Sequence, residues 1–469
     1  MHRMSGLDAS FYLLEDENTP LHVASVVVFE GPAPSYGDVV RTIAAKLPLV
    51  PRYRQRVRGV PLHLGRPVWV DDPHFNILYH VRHTALPAPG NDEQLRNLSG
   101  RVLAQRLDPA KPLWEIWLVE GLTGGRWALI AKVHHCMVDG IAGMDLATVL
   151  FDLSPEFEQP REVEPWEPDA EPSGLALLAD AAHRTVTRPL RQLTDVARSA
   201  GAVREAHRLR EFASGLTRAT ARFVSPSAGC LNGPIGPHRR WCWQRVPLDE
   251  VKAARKALGG TVNDIVLTAV SAGYRDLLNA RGRLEDDTVV RTAVPVSHRG
   301  ADERGELNNR VAAVFVNLPV GVADPLERLR RVREQTDDVK RSNQAAGTQA
   351  ITRLTDTAVA PALLSLAARI PVRLRQDLVQ TVTTNVPGPD FPLYVMGRRV
   401  LEMHPYVPLT GGIRVASAIV SYCGTLHFGI TGDFDAMPDL DVLAKGVQAG
   451  LDELVRAADG ARPAAPRTR

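Results

Sequence analysis

Residues 154–172 carry seven acids and five prolines and are poor in aliphatic side chains. Such a stretch buries too little apolar surface to join a core, so it reads as a linker dividing the chain. On each side of it, β-branched runs alternate with amphipathic segments. Ahead of it, residues 21–30 read as a buried strand, with helices over 36–47 and 92–106. Leu95, Leu98, Val102 and Leu103 fall at helical spacing in the second helix. Strands are expected over 113–119 and 126–133, joined by the glycine-bearing turn 121–125, and a helix over 139–152. After the linker, Ser173–Val224 is rich in Ala, Leu and Arg, with nine arginines against four acids. That segment reads either as a solvated connecting helix pair or as a basic face set against anionic lipid headgroups. From about residue 236, helices over 249–258, 263–279 and 325–345 interleave with strands. The strands are expected over 288–296, 311–320, 379–385, 413–421 and 425–431.

Interleaving of this kind predicts an α/β class with mixed sheets. At 469 residues the chain exceeds one compact core and suits two domains. The expected division is a first domain over 1–153, a linker and basic connector over 154–235, a second domain over 236–458 and a disordered tail over 459–469. A net charge of +3 gives no electrostatic case for nucleic acid as a partner. Cys136, Cys230, Cys242 and Cys423 are scattered, with neither metal-ligand spacing nor a disulfide framework, which suits a reducing cytosol. Asp8, Glu15, Asp16 and Glu17 interrupt the first twenty residues, so no signal peptide is expected. No run approaches the roughly 18 apolar residues of a membrane span. The expected location is therefore cytoplasmic, with any membrane contact peripheral.

The segment with most chemistry is Val133-His134-His135-Cys136-Met137-Val138-Asp139-Gly140. A hydrophobic strand ends, two histidines follow, and Asp139-Gly140 opens the next helix. Strand-to-helix turns present reactive groups to clefts in α/β folds. A neutral imidazole there can take a proton from a hydroxyl, although a lone strand-end histidine is more often a packed or capping side chain than a catalyst. Adjacent histidines on extended chain point to opposite faces, so no metal site is expected. Cys136 lies beside the pair, but nothing in the pattern demands a covalent intermediate.

His-His-x-x-x-Asp-Gly at a strand end resembles the active-site motif of chloramphenicol-acetyltransferase-like acyltransferases. Further segments resemble one branch, the bacterial wax ester synthase/diacylglycerol acyltransferase family. They are Leu7-Asp8-Ala9-Ser10-Phe11, Thr19-Pro20-Leu21-His22-Val23, Pro112-Leu113-Trp114-Glu115 and Leu231-Asn232-Gly233-Pro234-Ile235-Gly236. Val262-Asn263-Asp264-Ile265-Val266-Leu267, Val294-Pro295-Val296-Ser297 and Thr384-Asn385-Val386-Pro387-Gly388-Pro389 complete the set. The likeness runs in order from about residue 5 to 457. Asn308 stands where the family usually has glycine, a place where asparagine tolerates a left-handed turn.

The resemblance implies two acetyltransferase-like domains with the active site in a channel at their interface. It implies transfer of a long-chain acyl group from acyl-CoA to diacylglycerol, and to long-chain alcohols, with acyl-CoA as co-substrate and no other cofactor. The acceptor would be met at a peripheral membrane or lipid-droplet surface. In that scheme His135 is the general base, His134 supports the turn, Asp139 orients it and Gly140 lets it bend. Asn385, Thr384, Asn263, Asp264 and Ser297 are candidates for contacting substrate or the oxyanion. Asn263 and Asp264 sit equally well at a helix start as caps. Pro112, Leu113 and Trp114 would pack the strand entering the site. Two rivals stand beside this: a condensation-type enzyme using a carrier-bound donor, and a non-catalytic lipid-binding relative.

Overall fold

The computed structural model describes residues 2–137, 150–160, 165–183, 228–297, 311–341 and 379–461. Asp139, Gly140, residues 139–149 of the helix expected over 139–152 and most of the basic connector lie outside the described residues. The strands are β1 (His2–Arg3), β2 (His22–Phe29), β3 (Gln55–Arg58), β4 (Val68–Asp71), β5 (Val81–Ala85), β6 (Trp114–Glu120) and β7 (Trp127–His134). There follow β8 (Arg239–Pro247), β9 (Val290–Ser297), β10 (Val311–Leu318), β11 (Thr381–Val386), β12 (Tyr394–Val395), β13 (Arg398–Tyr406), β14 (Val415–Tyr422) and β15 (Thr425–Asp433). The helices are α1 (Gly6–Leu14), α2 (Tyr36–Lys46), α3 (Ile77–His80), α4 (Asp92–Ala104), α5 (174–183), α6 (Leu248–Leu258), α7 (Val262–Ala280), α8 (Pro325–Arg341) and α9 (Leu440–Ala461).

These elements build two six-stranded mixed sheets and a three-stranded one, so the fold is the expected α/β class. The first sheet runs β12-β13-β2-β7-β6-β5, and the second β10-β9-β11-β14-β15-β8. Helices start where side chains cap them. Asn91 and Gln94 form a reciprocal capping box at α4, and Thr261 and Asp264 form another at α7. Inside the second lobe, α7 and α9 pack backbone to backbone. A Cβ on Gly273 would lie 2.7 Å from the Leu443 carbonyl oxygen. Strands β1, β3, β4, β5, β8, β12 and β13 and helices α1, α3 and α9 have no counterpart among the elements expected from the sequence.

One feature of the topology departs from the expected domain boundaries. Strands β12 and β13 come from the 236–458 span, yet β13 pairs antiparallel with β2, Tyr406 opposite Ala24 and Met403 opposite Val27. The first lobe is therefore completed by chain that has already passed through the second. Composition marks where a chain leaves a core, not where it returns. The pairing also covers an edge of β2 that would otherwise expose a row of open backbone groups.

The lobes interlock beside this crossing. Trp241 and Trp243 of β8 share a buried cluster with Val26 and Val28 of β2, Leu95, Leu98, Val102 and Leu103 of α4, and Tyr406 of β13. On β15, a Cβ at Gly429 would fall 1.7 Å from the Pro405 carbonyl oxygen, so only glycine allows β13 and β15 this approach. The His404 and His427 rings meet edge-to-face there, with Trp243 stacked on His404 at 4.4 Å. Glu402 takes hydrogen bonds from His404 Nε2, at 2.7 Å, and from Arg245 of β8.

Five histidines, His22, His80, His134, His404 and His427, are buried, and desolvation lowers the pKa of each. His80 falls to about 4, and His134 and His427 to about 3. In the unfolded chain each titrates near 6.5. Below about pH 6.5 the unfolded state therefore binds protons that the native rings refuse, so stability falls as pH falls. Each ring costs up to about 1.4 kcal/mol per pH unit in that window. Urea midpoints should drop steadily between about pH 7.5 and pH 5. A flat profile would contradict neutral buried rings.

Candidate active site

Ser5 caps α1 by accepting the Asp8 N–H at 3.1 Å. The helix offers Phe11 and Tyr12 to the end of β7, and Glu15 closes it before the chain runs into β2. Strands β2 and β7 lie side by side with His22 opposite His134. Strand β7 stops at His134, and His135–Met137 form a single 3-10 turn. The two strands flanking β7 hold this turn by their lead-in residues. His134 N–H donates to the Leu113 carbonyl at 2.9 Å, and His135 N–H to the Leu21 carbonyl at 2.8 Å.

The two rings meet different surroundings, as adjacent side chains at a strand end should. His134 is fully buried, with its pKa lowered to about 3, so it is neutral. Its Nδ1 accepts the Cys136 N–H at 3.1 Å and lies 2.9 Å from Cys136 Sγ. Tyr12 meets its ring edge-on at 6.2 Å. His135 is partly exposed and stacks on Phe11, ring centroids 4.0 Å apart and planes 28° from parallel. Its Nδ1 is buried without a hydrogen-bond partner. Desolvation pulls its pKa below the usual histidine value, and the ring's contact with its own main chain pushes the other way. A histidine in this state is unprotonated at neutral pH and ready to take up a proton.

Pro112, Leu113 and Trp114 are buried behind the turn. Leu113 supplies the carbonyl that holds His134. Trp114 Nε1–H donates to the Tyr53 carbonyl at 2.7 Å, and His80 stacks on the indole at 4.6 Å while its Nδ1 donates to the Trp114 carbonyl. Asp264 is committed to the fold. One oxygen accepts Thr261 N–H at 2.7 Å and the other the Thr336 hydroxyl at 2.8 Å. Asn263, next to it, faces Asn385 at the end of β11, whose Nδ2 donates to Asn263 Oδ1 at 3.3 Å. Thr384 pairs with Ala418 across β11 and β14, and Ser297 ends β9 opposite Val311. Asn263, Asn385, Thr384 and Ser297 thus belong to the second lobe, His134 and His135 to the first.

Sequence reasoning missed the roles of Phe11, Glu15 and Arg106 around the histidines. Phe11 entered only as part of the opening segment, and Glu15 only as an acid that breaks an apolar run. Glu15 is nonetheless buried and accepts a hydrogen bond from Arg106 Nε at 2.8 Å. Its burial among alternating polar neighbours has no local signal. Among the described residues, no group of three or more His, Cys, Asp or Glu is placed to hold a metal ion.

Cys136 is buried, and desolvation raises its thiol pKa well above the usual value, which keeps it protonated. Such a thiol is a poor nucleophile. Cys136→Ala should therefore keep turnover within about threefold, at a stability cost of about 1 kcal/mol. Intact-mass analysis under turnover should detect no acylated protein. An acyl adduct on Cys136 would reverse this assignment.

Comparison with known proteins gives this geometry its context. Residues 4–266 match the wax ester synthase/diacylglycerol acyltransferase catalytic domain, and residues 307–455 the WS/DGAT C-terminal domain. The probable diacyglycerol O-acyltransferase tgs1 of Mycobacterium tuberculosis H37Rv is 37% identical over 464 residues, covering 97% of this chain and 96% of the relative. A putative diacyglycerol O-acyltransferase of Mycobacterium bovis, Mb3154c, matches equally well, at 37% identity and the same coverage. Among solved structures, the wax ester synthase/diacylglycerol acyltransferase of Marinobacter aquaeolei VT8 superposes with a TM-score of 0.66 at 25% identity, covering 97% of this chain and all of that one. The first condensation domain of the calcium-dependent antibiotic synthetase shares the fold at 18% identity, with a TM-score of 0.59 and coverage of 99% and 97%. With both domains of the family matched in order and relatives above 30% identity along nearly the whole chain, this protein belongs to the wax ester synthase/diacylglycerol acyltransferase family.

Proposed function

We propose that the chain transfers a long-chain acyl group from acyl-CoA to diacylglycerol, with long-chain alcohols as second acceptors. The observation that carries this reading is the His135 ring: neutral, partly exposed, and set in place by the Leu21 carbonyl and the Phe11 face. Because Nδ1 is buried, Nε2 is the nitrogen left to meet a substrate. It accepts the proton of the acceptor hydroxyl as that oxygen attacks the thioester carbonyl. The carbonyl π electrons move onto oxygen, giving a tetrahedral oxyanion. When the C–S bond breaks, the protonated His135 returns its proton to the departing thiolate. The ester and free coenzyme A result.

Donors aimed at the oxyanion lower this barrier most. Asn385 spends one Nδ2 hydrogen on Asn263 and retains a second, whereas Thr384, its neighbour within β11, lies on the opposite face of the strand. Asn385 would approach from the second lobe, which makes the interface the proposed channel for the two substrates. Acyl-CoA serves as co-substrate, and the chemistry calls for no further cofactor. A diacylglycerol acceptor would be drawn from a membrane or droplet surface. No described helix is long and apolar enough to cross a membrane, which leaves peripheral contact as the mode proposed.

The test is purified protein with palmitoyl-CoA, a panel of acceptors and resolution of products by thin-layer chromatography. Triacylglycerol should form, and an acyl-carrier donor should replace acyl-CoA poorly. His135→Ala should cut turnover by about 10²–10⁴-fold while leaving the circular dichroism spectrum unchanged. A variant of near-full activity rules out the base assignment. Since the neutral ring is the working form and its pKa is depressed, activity should rise with pH, with the midpoint of the rise below the ordinary histidine value of about 6.5.

A further inference from the structure

Behind the histidine pair lies an ion pair that takes no part in the chemistry above. The Glu15 side chain is 1% exposed. Its Oε2 accepts Arg106 Nε–H at 2.8 Å. Its Oε1 accepts Leu21 N–H at 3.2 Å and lies 3.6 Å from His134 Nε2. The Leu21 carbonyl, one peptide on, is the acceptor for His135 N–H. One carboxylate thus lies beside both histidines: its charge stands 3.6 Å from His134 Nε2, a buried nitrogen that makes no hydrogen bond, and it is joined to His135 through the Leu21 residue. The tautomer of His134 follows from the other side of its ring. Nδ1 accepts the Cys136 N–H, so the neutral imidazole carries its proton on Nε2, facing Glu15.

Burial raises the Glu15 pKa above the usual carboxylate value and the Arg106 guanidinium pulls it back. Without that counter-charge the carboxylate would take up a proton at higher pH, and a protonated Glu15 would no longer favour that tautomer. Arg106, just past the end of α4, supplies the charge. The end of α4 is itself tied down, by Lys132 Nζ donating to the Val102 and Gln105 carbonyls and by His22 Nε2 on the Leu103 carbonyl.

We propose that Glu15, kept ionised by Arg106, is a positioning residue for the transfer reaction. Its charge favours the Nε2–H tautomer that the Cys136 N–H selects, and through Leu21 it sets His135 against Phe11. The proposal rests on His135 being the base. The other titratable groups around Glu15 are His134, Cys136 and Lys132 from β7 and its turn, and Tyr12 and Asp16 beside it in the chain. Of these only Lys132 adds positive charge, and it is engaged by Glu115 at 3.2 Å.

The experiment measures kcat and KM for palmitoyl-CoA and a dispersed diacylglycerol from about pH 5.5 to 8.5. Glu15→Gln keeps the size of the side chain and removes its charge. Its kcat should fall about ten- to a hundredfold at every pH, with both KM values within about twofold. Arg106→Gln leaves the carboxylate unpaired, so its kcat should be near wild type at high pH. As pH falls it should be lost early, the acid limb moving up by about one unit. Arg106→Lys should restore the limb. Wild-type kcat in folded Glu15→Gln overturns the proposal. If Glu15→Gln does not fold, an unshifted acid limb in Arg106→Gln overturns it, because the Arg106 side chain is 38% exposed and its loss is tolerable. Should His135→Ala keep its activity, the base assignment fails. If His135→Ala is dead while Glu15→Gln and Arg106→Gln behave as wild type, only the positioning role fails.

Discussion

Two peptide hydrogen bonds decide where the histidine turn stands: His134 on Leu113 and His135 on Leu21. Neither acceptor lies on β7. Each is the last residue before a neighbouring strand, β6 on one side and β2 on the other. The ladders that build the first sheet therefore also set the height of its exit. One such bond contributes only about 1 kcal/mol net. Its value here is geometric, since a turn clamped from both sides cannot slide relative to the helix α1 that stacks Phe11 on His135.

The same clamp accounts for motif residues that never reach the chemistry. Trp114 holds the strand that carries Leu113, through Tyr53 and His80. Arg106 and Glu15 fasten the peptide that carries Leu21. Much of what surrounds the catalytic histidine is backbone support rather than reacting groups, and it comes from positions far apart in the chain. The second lobe is held to this frame by β13, which returns to pair with β2, and by the indoles of β8 buried against α4. Asn385 and Asn263 are thereby carried on a body seated against the first sheet by packed tryptophans and a glycine contact.

Much of the architecture was legible in the chain itself. The β-branched run ending Val26-Val27-Val28 marks β2, and the apolar stretch from Trp127 to Val133 marks β7. The 3.6 spacing of Leu95, Leu98, Val102 and Leu103 marks α4, because one-sided burial leaves a periodic trace in a helix. The His-His pair stood out through the whole His-His-x-x-x-Asp-Gly pattern and its resemblance to a known active-site motif, since a strand-end histidine alone is more often a packed side chain, as His134 is here. Strand β8 left a weaker trace, since Arg239, Arg240, Gln244 and Arg245 interrupt its apolar residues, and the three arginines each have a partner (Asn18, Phe434 and Glu402) more than 150 residues away.

What the sequence determined by itself is therefore the local register of the site: which strand ends, which ring follows, and that an α/β frame in two parts carries it. What only the tertiary structure decided is the state of those rings. Two neighbouring histidines share a backbone and the same intrinsic acidity, yet one is sealed against Cys136 and Glu15 while the other lies half open on Phe11. Desolvation and hydrogen-bond partners set protonation, and they depend on contacts between segments that no local pattern encodes. The return of β13 to the first sheet was hidden for the same reason. Strand pairing is chosen by which edge is open in three dimensions, and that edge is not written in either strand alone.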